Sequence, residues 1–236
     1  MPRSSAADSP NNSPGDAAHF AAYVAHELRA PISLQRALVE VALADPHATT
    51  GALRAVGERV IAGCEHQQRL IEALLDLGRS QRGLNRHEPV DIAAITDSAL
   101  RAHDLSQFES VVTLEPARTT GDPDLVERLA ANLISNATRH NVTGGRIEVA
   151  TGTNADRAVL SVANAGQLIP AGELTRLFQP FERLGPHADL RADGIGLGLA
   201  IVQAIAGAHE ASITAHPPAD GGLEIAVSFL ATTYTT

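Results

Sequence analysis

Apolar residues recur at three- and four-residue steps from Phe20 through Val24, Leu28, Leu34 and Leu38 to Val41. That is the spacing of one face of an α-helix. The stretch "ADPHATTG" breaks the run with a proline and small polar residues, and a second stripe follows in Leu53, Val56, Val60, Cys64, Ile71 and Leu74. Two long helices joined by a short loop form an antiparallel hairpin. A lone hairpin is too shallow to cover both stripes, whereas a second copy would complete a four-helix bundle and cover them. Pro31 interrupts the first helix. It has no N–H for the carbonyl of Glu27 and its ring presses on that carbonyl, so a bend costing about 3 kcal/mol is expected one turn below His26.

The remainder of the chain changes rhythm. Residues 1–16 are mostly Ser, Pro, Asn and Asp with almost nothing to bury, the composition of a disordered tail. The hairpin is expected over 17–80, a polar linker with Gly and Pro over 81–90, and a second domain over 91–231. There "DIAAITDSALRAH" reads as a helix capped by Asp91, and "DPDLVERLAANLISNATRH" as a helix capped by Asp122 with Pro123 in first position. "VVTLE", the pair "GGRIEVATG" and "RAVLSVAN", and the final "ASITAH" and "GLEIAVSFL" read as strands. "GIGLGLAIVQAIAGAH" is a glycine-rich turn running into an apolar helix. Helices and antiparallel strands without a βαβ rhythm predict an α/β sandwich with its helices on one face, and an α+β chain as a whole.

Composition narrows the function. The net charge of −9 argues against nucleic-acid binding, which calls for a basic surface. One cysteine, Cys64, forms no internal disulfide, and a reducing compartment suits it. No apolar run is long enough to span a bilayer and no signal-peptide pattern opens the chain. A soluble, cytoplasmic chain without membrane contact of its own is the expectation.

Three polar constellations carry the chemistry. Asn132, Asn136 and Arg139 share one face of the helix from Asp122, beside the apolar stripe of Val126, Leu129, Leu133 and Ala137. An amide oxygen can ligate Mg²⁺ and an arginine fork suits phosphate oxygens, although spacing alone fits amides that face water equally well. "GIGLG", Gly194 to Gly198, precedes a helix whose N-terminal N–H groups can meet phosphate. No strand leads into it, which rules out a dinucleotide fingerprint. "VANAGQLIP" ends a strand with Asn164 and Gly166, a turn that could also receive an adenine ring.

Taken in order, these pieces resemble the catalytic core of a two-component sensor histidine kinase, from about Ala17 to Leu230. "VAHELRAPI" looks like the family's H box, "LAANLISNATRH" its N box, "VANAGQLIP" its first glycine box, "LFQPFERL" its F box and "GIGLGLAIV" its second glycine box. The resemblance implies a homodimeric hairpin carrying the phosphoacceptor His26. An ATP-binding domain of the Bergerat, gyrase- and Hsp90-like fold would follow, with a response-regulator receiver as partner. Glu27 would accept a hydrogen bond from the imidazole or take its proton. Asn136 would hold the Mg²⁺ that bridges the ATP phosphates, with Arg139 and His140 close by. Asn164 and Gly166 would take the adenine, and Gly194, Gly196, Leu197 and Gly198 would approach the phosphates. Residues 171–193 would form a lid, hinged on Phe178 and Phe181.

Four positions colour that picture. Asn132 stands where ATP hydrolases of the superfamily carry a glutamate base, so ATP should be spared from hydrolysis. Ala30 replaces the Thr or Asn of members with phosphatase activity, which predicts weak phosphatase action. Asn164 replaces the usual Asp, and Leu168 replaces a Gly, where it is expected to crowd the pocket. The other histidines, His19 and His66 among them, are expected at the surface or in loops. The alternative reading is a catalytically weak dimeric scaffold of the same fold. A serine kinase of the same superfamily is a more distant one, disfavoured by the His26–Glu27 pair.

Overall fold

The computed structural model describes residues 29, 31–80, 83–84, 86–182 and 196–232. His26, Glu27, Ala30, Gly194 and the bend expected before Pro31 lie outside the described residues. The chain divides into two compact units, Met1–Ile71 and Glu72–Thr236.

The first unit holds helix α1 (31–44) and most of helix α2 (Thr50–Ser80). The loop between them is shaped by short polar side chains: Asp45 accepts from the His47 N–H at 2.9 Å, and Thr49 Oγ1 accepts from the Ala52 N–H at 3.2 Å, capping α2. Gln35 donates to the Val60 carbonyl across the pair at 3.4 Å. It can lie there because position 63 is glycine; a Cβ would overlap the Gln35 amide. Leu34, Val41 and Ile61 stay exposed on this hairpin.

The second unit is a layered α/β fold. A two-stranded antiparallel ribbon pairs β1 (Glu88–Asp91) with β3 (Arg118–Gly121). The main sheet has the order β2-β4-β5-β7-β6, from β2 (Glu109–Leu114), β4 (Arg146–Asn154), β5 (Arg157–Asn164), β6 (Ser212–His216) and β7 (Leu223–Leu230). Alternate residues of the inner strands point inwards: Ile147 and Val149 from β4, Leu160 and Val162 from β5, Ile225, Val227 and Phe229 from β7. Helices α3 (Ile92–Arg101), α4 (Pro123–Arg139) and α5 (Gly198–Ala208) pack against the sheet, and α4 lies against both other helices. The predicted stripe of α4 is the buried one, with Val126, Leu129, Leu133 and Ala137 all inside. Asp91 and Asp122 cap α3 and α4 as expected, accepting from Ala94 N and Asp124 N.

Two features depart from the sequence reading. The ribbon β1–β3 was not expected; its strands are four residues long and one contains Pro89. The pair β2 and β4 is parallel, where antiparallel strands were expected, because the chain returns through β3 and α4 before re-entering the sheet. Ion pairs fasten the start of α4. Arg86 bonds Asp124 and approaches Asp122 at 3.5 Å, and Arg128 bonds Asp76 near the end of α2.

His209 corrects the expectation that the remaining histidines lie at the surface. It follows α5 directly and is buried, its Nδ1 against the Ile205 carbonyl at 2.8 Å. Its Nε2 accepts from the Asp122 N–H at 3.1 Å, and its ring meets Phe229 edge-on at 5.7 Å. A ring that accepts at Nε2 must carry its proton on Nδ1 and be neutral. Burial pushes its pKa below the ordinary value, outweighing the carbonyl that favours the cation. Below about pH 6.5 the unfolded chain gains a proton that the native fold resists, so stability falls as pH drops through that value. In His209→Gln the amide oxygen can still accept from Asp122 without titrating. That variant should lose roughly 1–3 kcal/mol at pH 7.5 and show a shallower fall in melting temperature between pH 7 and 5. An unchanged pH slope would refute the assignment.

Candidate functional site

Helix α4 is the spine of the site. Asn132, Asn136 and His140 are spaced four residues apart, so they follow one face over roughly 12 Å. At the near end, Asn132 Nδ2 donates to the Arg128 carbonyl at 2.8 Å. Its Oδ1 lies 3.3 Å from where a Cβ on Gly198 would stand, so the first residue of α5 comes close because it is glycine. Leu197 precedes α5 as a buried anchor and supplies no side-chain cap, so the first-turn N–H groups of α5 have no capping side chain. Asn136, half-buried in mid-face, has a carboxamide that no described residue bonds, and Arg139 beyond it is exposed.

At the far end, His140 closes α4, its N–H donating to the Asn136 carbonyl at 3.0 Å. Its own carbonyl accepts from Asn164 Nδ2 at 3.4 Å, which joins the helix to the end of β5. Gly166 fits under this junction, where a Cβ would sit 2.8 Å from the His140 carbonyl oxygen. The adjoining Gly221–Gly222 turn has positive φ at both residues, 98° and 99°. A Cβ on Gly222 would overlap the main-chain oxygen of Asn164. The Gly222 N–H donates to the Gln167 carbonyl at 3.0 Å. These two glycines were not singled out in the sequence, where Gly222 reads only as the start of the last strand.

In the chain between Gly166 and α5 come two 3₁₀ turns, Ala171–Glu173 and Arg176–Phe178, the second packed against α5. Arg176 ties them by bonding Glu173 at 2.8 Å and Glu182 at 2.9 Å. The Phe181 N–H donates to the Gly196 carbonyl at 2.8 Å. Phe181 and Gly196 both have positive φ, and a Cβ on Gly196 would lie 2.9 Å from Phe181 Cα. That bond joins the two ends of the stretch between them. Leu168 is 73 % exposed, so it points to solvent and does not crowd the site as expected from its sequence position.

The arrangement brings Asn132 beside Leu197 and Gly198 midway along α4, and His140 beside Asn164 and Gly166 at its C-terminal end, with Asn136 between them. Among the described residues no cluster of three His, Cys, Asp or Glu side chains could hold a metal ion. Amide oxygens remain, a donor set that suits a hard cation keeping water and phosphate oxygens as its other ligands.

Comparison with known proteins identifies the family of the chain. Residues 121–233 match the family described as histidine kinase-, DNA gyrase B- and HSP90-like ATPase. Residues 17–83 match the His Kinase A (phospho-acceptor) domain. The chain belongs to the two-component histidine kinase family. Its H, N, F and glycine boxes therefore fall in a histidine kinase catalytic core, as the sequence resemblance implied. Sensor protein CutS of Streptomyces coelicolor is 39% identical over 214 residues, covering 89% of this chain and 51% of CutS. The chain thus spans about half the length of that relative. The solved structure of the mycobacterial sensor histidine kinase MprB is 29% identical, with a TM-score of 0.55 over 63% of this chain and 99% of the solved chain. Histidine kinase AdeS of Acinetobacter baumannii shares the fold at 21% identity, with a TM-score of 0.66 over 88% of this chain and 98% of the solved chain. The histidine kinase ATPase module carries ATP binding with it.

Proposed function

We propose that the chain phosphorylates His26 with ATP and passes the phosphoryl group to an aspartate of a response-regulator receiver. The observation that carries this reading is the line of Asn132, Asn136 and His140 along α4, with Gly198 against the first and Asn164 against the last. Such a line suits an extended nucleotide whose phosphates lie near α5 and whose base lies near β5. Arg139 and the first-turn N–H groups of α5 supply positive charge to the phosphates. Asn136, with Asn132 beside it, would hold Mg²⁺ through amide oxygen, and the ion would neutralise charge on the phosphates when bound.

A neutral ring nitrogen of His26 forms a bond to the γ-phosphorus as the bond to the β-phosphate oxygen breaks, and ADP leaves. Glu27 accepts the hydrogen bond, or the proton, of the opposite ring nitrogen. Asn132 has no basic group with which to activate water, so transfer to histidine is favoured over hydrolysis. The ring then gives its phosphoryl group to the receiver's carboxylate and returns to the neutral imidazole. The exposed Leu34, Val41 and Ile61 support a second copy of the chain against the hairpin. Among the described residues no helix is long and apolar enough to cross a membrane. Its ATP-dependent chemistry assigns the chain to the cytoplasm.

The test is incubation with γ-labelled ATP and Mg²⁺. Label that is lost in acid, survives base and moves to a receiver domain is expected. Acid-stable label would point to a hydroxyl acceptor, and no label at millimolar ATP would leave a non-catalytic scaffold.

A further inference from the structure

Arg128 lies one turn before Asn132 on the face that also carries Asn136 and His140, because the four are spaced four residues apart. The Asn132 amide donates to the Arg128 carbonyl at 2.8 Å, and Asn132 Oδ1 adjoins the first residue of α5. Arg128 therefore extends the line of site residues by roughly 6 Å, past the part proposed for the phosphates. None of the sequence boxes includes it. Its guanidinium is bonded to Asp76 in the last turns of α2, which from Glu72 onward belong to the same compact unit as α4. The two members of this pair are unequal. The Asp76 side chain is only 12% exposed, whereas that of Arg128 is 37% exposed. The cation can turn to another anion, but the carboxylate left behind would be a charge held largely out of water.

We propose that Arg128 is a two-position arginine, paired with Asp76 when the site is empty or holds ADP and with the terminal phosphate when ATP is bound. Asp76 and the γ-phosphoryl group thus compete for one guanidinium. This deepens the nucleotide reading above and rests on it. With the base near His140 and Asn164, each successive phosphate lies further along α4. The γ-phosphoryl group is then the one nearest Arg128, and ADP ends short of it. A phosphate offers more charge and more acceptor oxygens than a carboxylate, and a guanidinium suits either. When Arg128 turns to it, the last turns of α2 lose their tie to α4; after transfer leaves ADP, the tie re-forms. Arg128 is the residue that tells a triphosphate from a diphosphate, and Asp76 is a positioning residue that acts through it.

The test measures binding of ADP and of the non-transferring β,γ-imido analogue of ATP, each with Mg²⁺, to the full chain. Asp76→Asn removes the competitor, so it should raise affinity for the analogue by roughly fivefold and leave ADP unchanged. Arg128→Gln should weaken the analogue by roughly tenfold and leave ADP within about twofold. In the Arg128→Gln background, Asp76→Asn should add nothing, whereas a gain from merely deleting a nearby negative charge would persist. Hydrogen exchange on the unsubstituted chain gives an independent reading: the amides of residues 77–80 should exchange faster with the analogue than with ADP. Should Arg128→Gln fail to fold, that comparison decides alone. Arg128→Gln weakening both nucleotides alike or neither, a gain from Asp76→Asn that persists without Arg128, or equal exchange with the two nucleotides overturns the proposal and leaves the nucleotide reading standing. If the unsubstituted chain binds neither nucleotide, both fall.

Discussion

Replacing His26 by glutamine should lower phosphoryl uptake from γ-labelled ATP by at least about a thousandfold, because the only proposed nucleophile is gone. The same variant should bind ATP as wild type does, since position 26 falls in the phospho-acceptor domain match and the proposed nucleotide residues along α4 fall in the ATPase match. Asn136→Ala gives the contrasting result. It removes the amide oxygen proposed for Mg²⁺, so nucleotide affinity and label incorporation should fall together, by roughly tenfold to a hundredfold. Nucleotide binding by fluorescence titration, run beside the labelling assay, separates the two. If His26→Gln still takes up acid-labile label, another histidine is the acceptor. If Asn136→Ala binds Mg²⁺-ATP normally, α4 does not line the site.

The second large effect is on folding. Gly222 has a φ of 99°, and a Cβ there would overlap the Asn164 main-chain oxygen. Alanine must bear the positive φ and also move the backbone that ends β5. A loss of about 3–4 kcal/mol is expected, or roughly 10 °C in melting temperature for a unit of this size. Gly207 is the internal control. It lies in α5 with nothing within 4 Å of its would-be Cβ, so Gly207→Ala should stabilise by roughly 0.5–1 kcal/mol. If the two variants melt alike, the close approach at Gly222 is wrong.

Much of this fold could be read from local chemistry. The N-caps at Asp91 and Asp122, the stripe of α4 and the alternation in β4 and β5 are all encoded within a few residues of where they act. The order of the five boxes pointed to the family because each box is contiguous. What escaped depends on partners distant in sequence. The β1–β3 ribbon is too short to show a period, and its pairing spans a helix and a strand. His209 sits just after a helix, where a histidine reads as an exposed cation, and only the Asp122 N–H, 87 residues away, shows it to be a neutral acceptor. The role of Gly222 appears only when β5 and β7 are side by side. The outward turn of Leu168 likewise follows from the loop's tertiary path.

Helix α4 touches both extremes of the proposed nucleotide site through residues two turns apart on one rigid rod. On that proposal, base contact and phosphoryl chemistry are held at a fixed separation, beyond the range at which substitutions usually perturb one another. An engineer could retune which purine is accepted near β5 and leave the reactive end undisturbed.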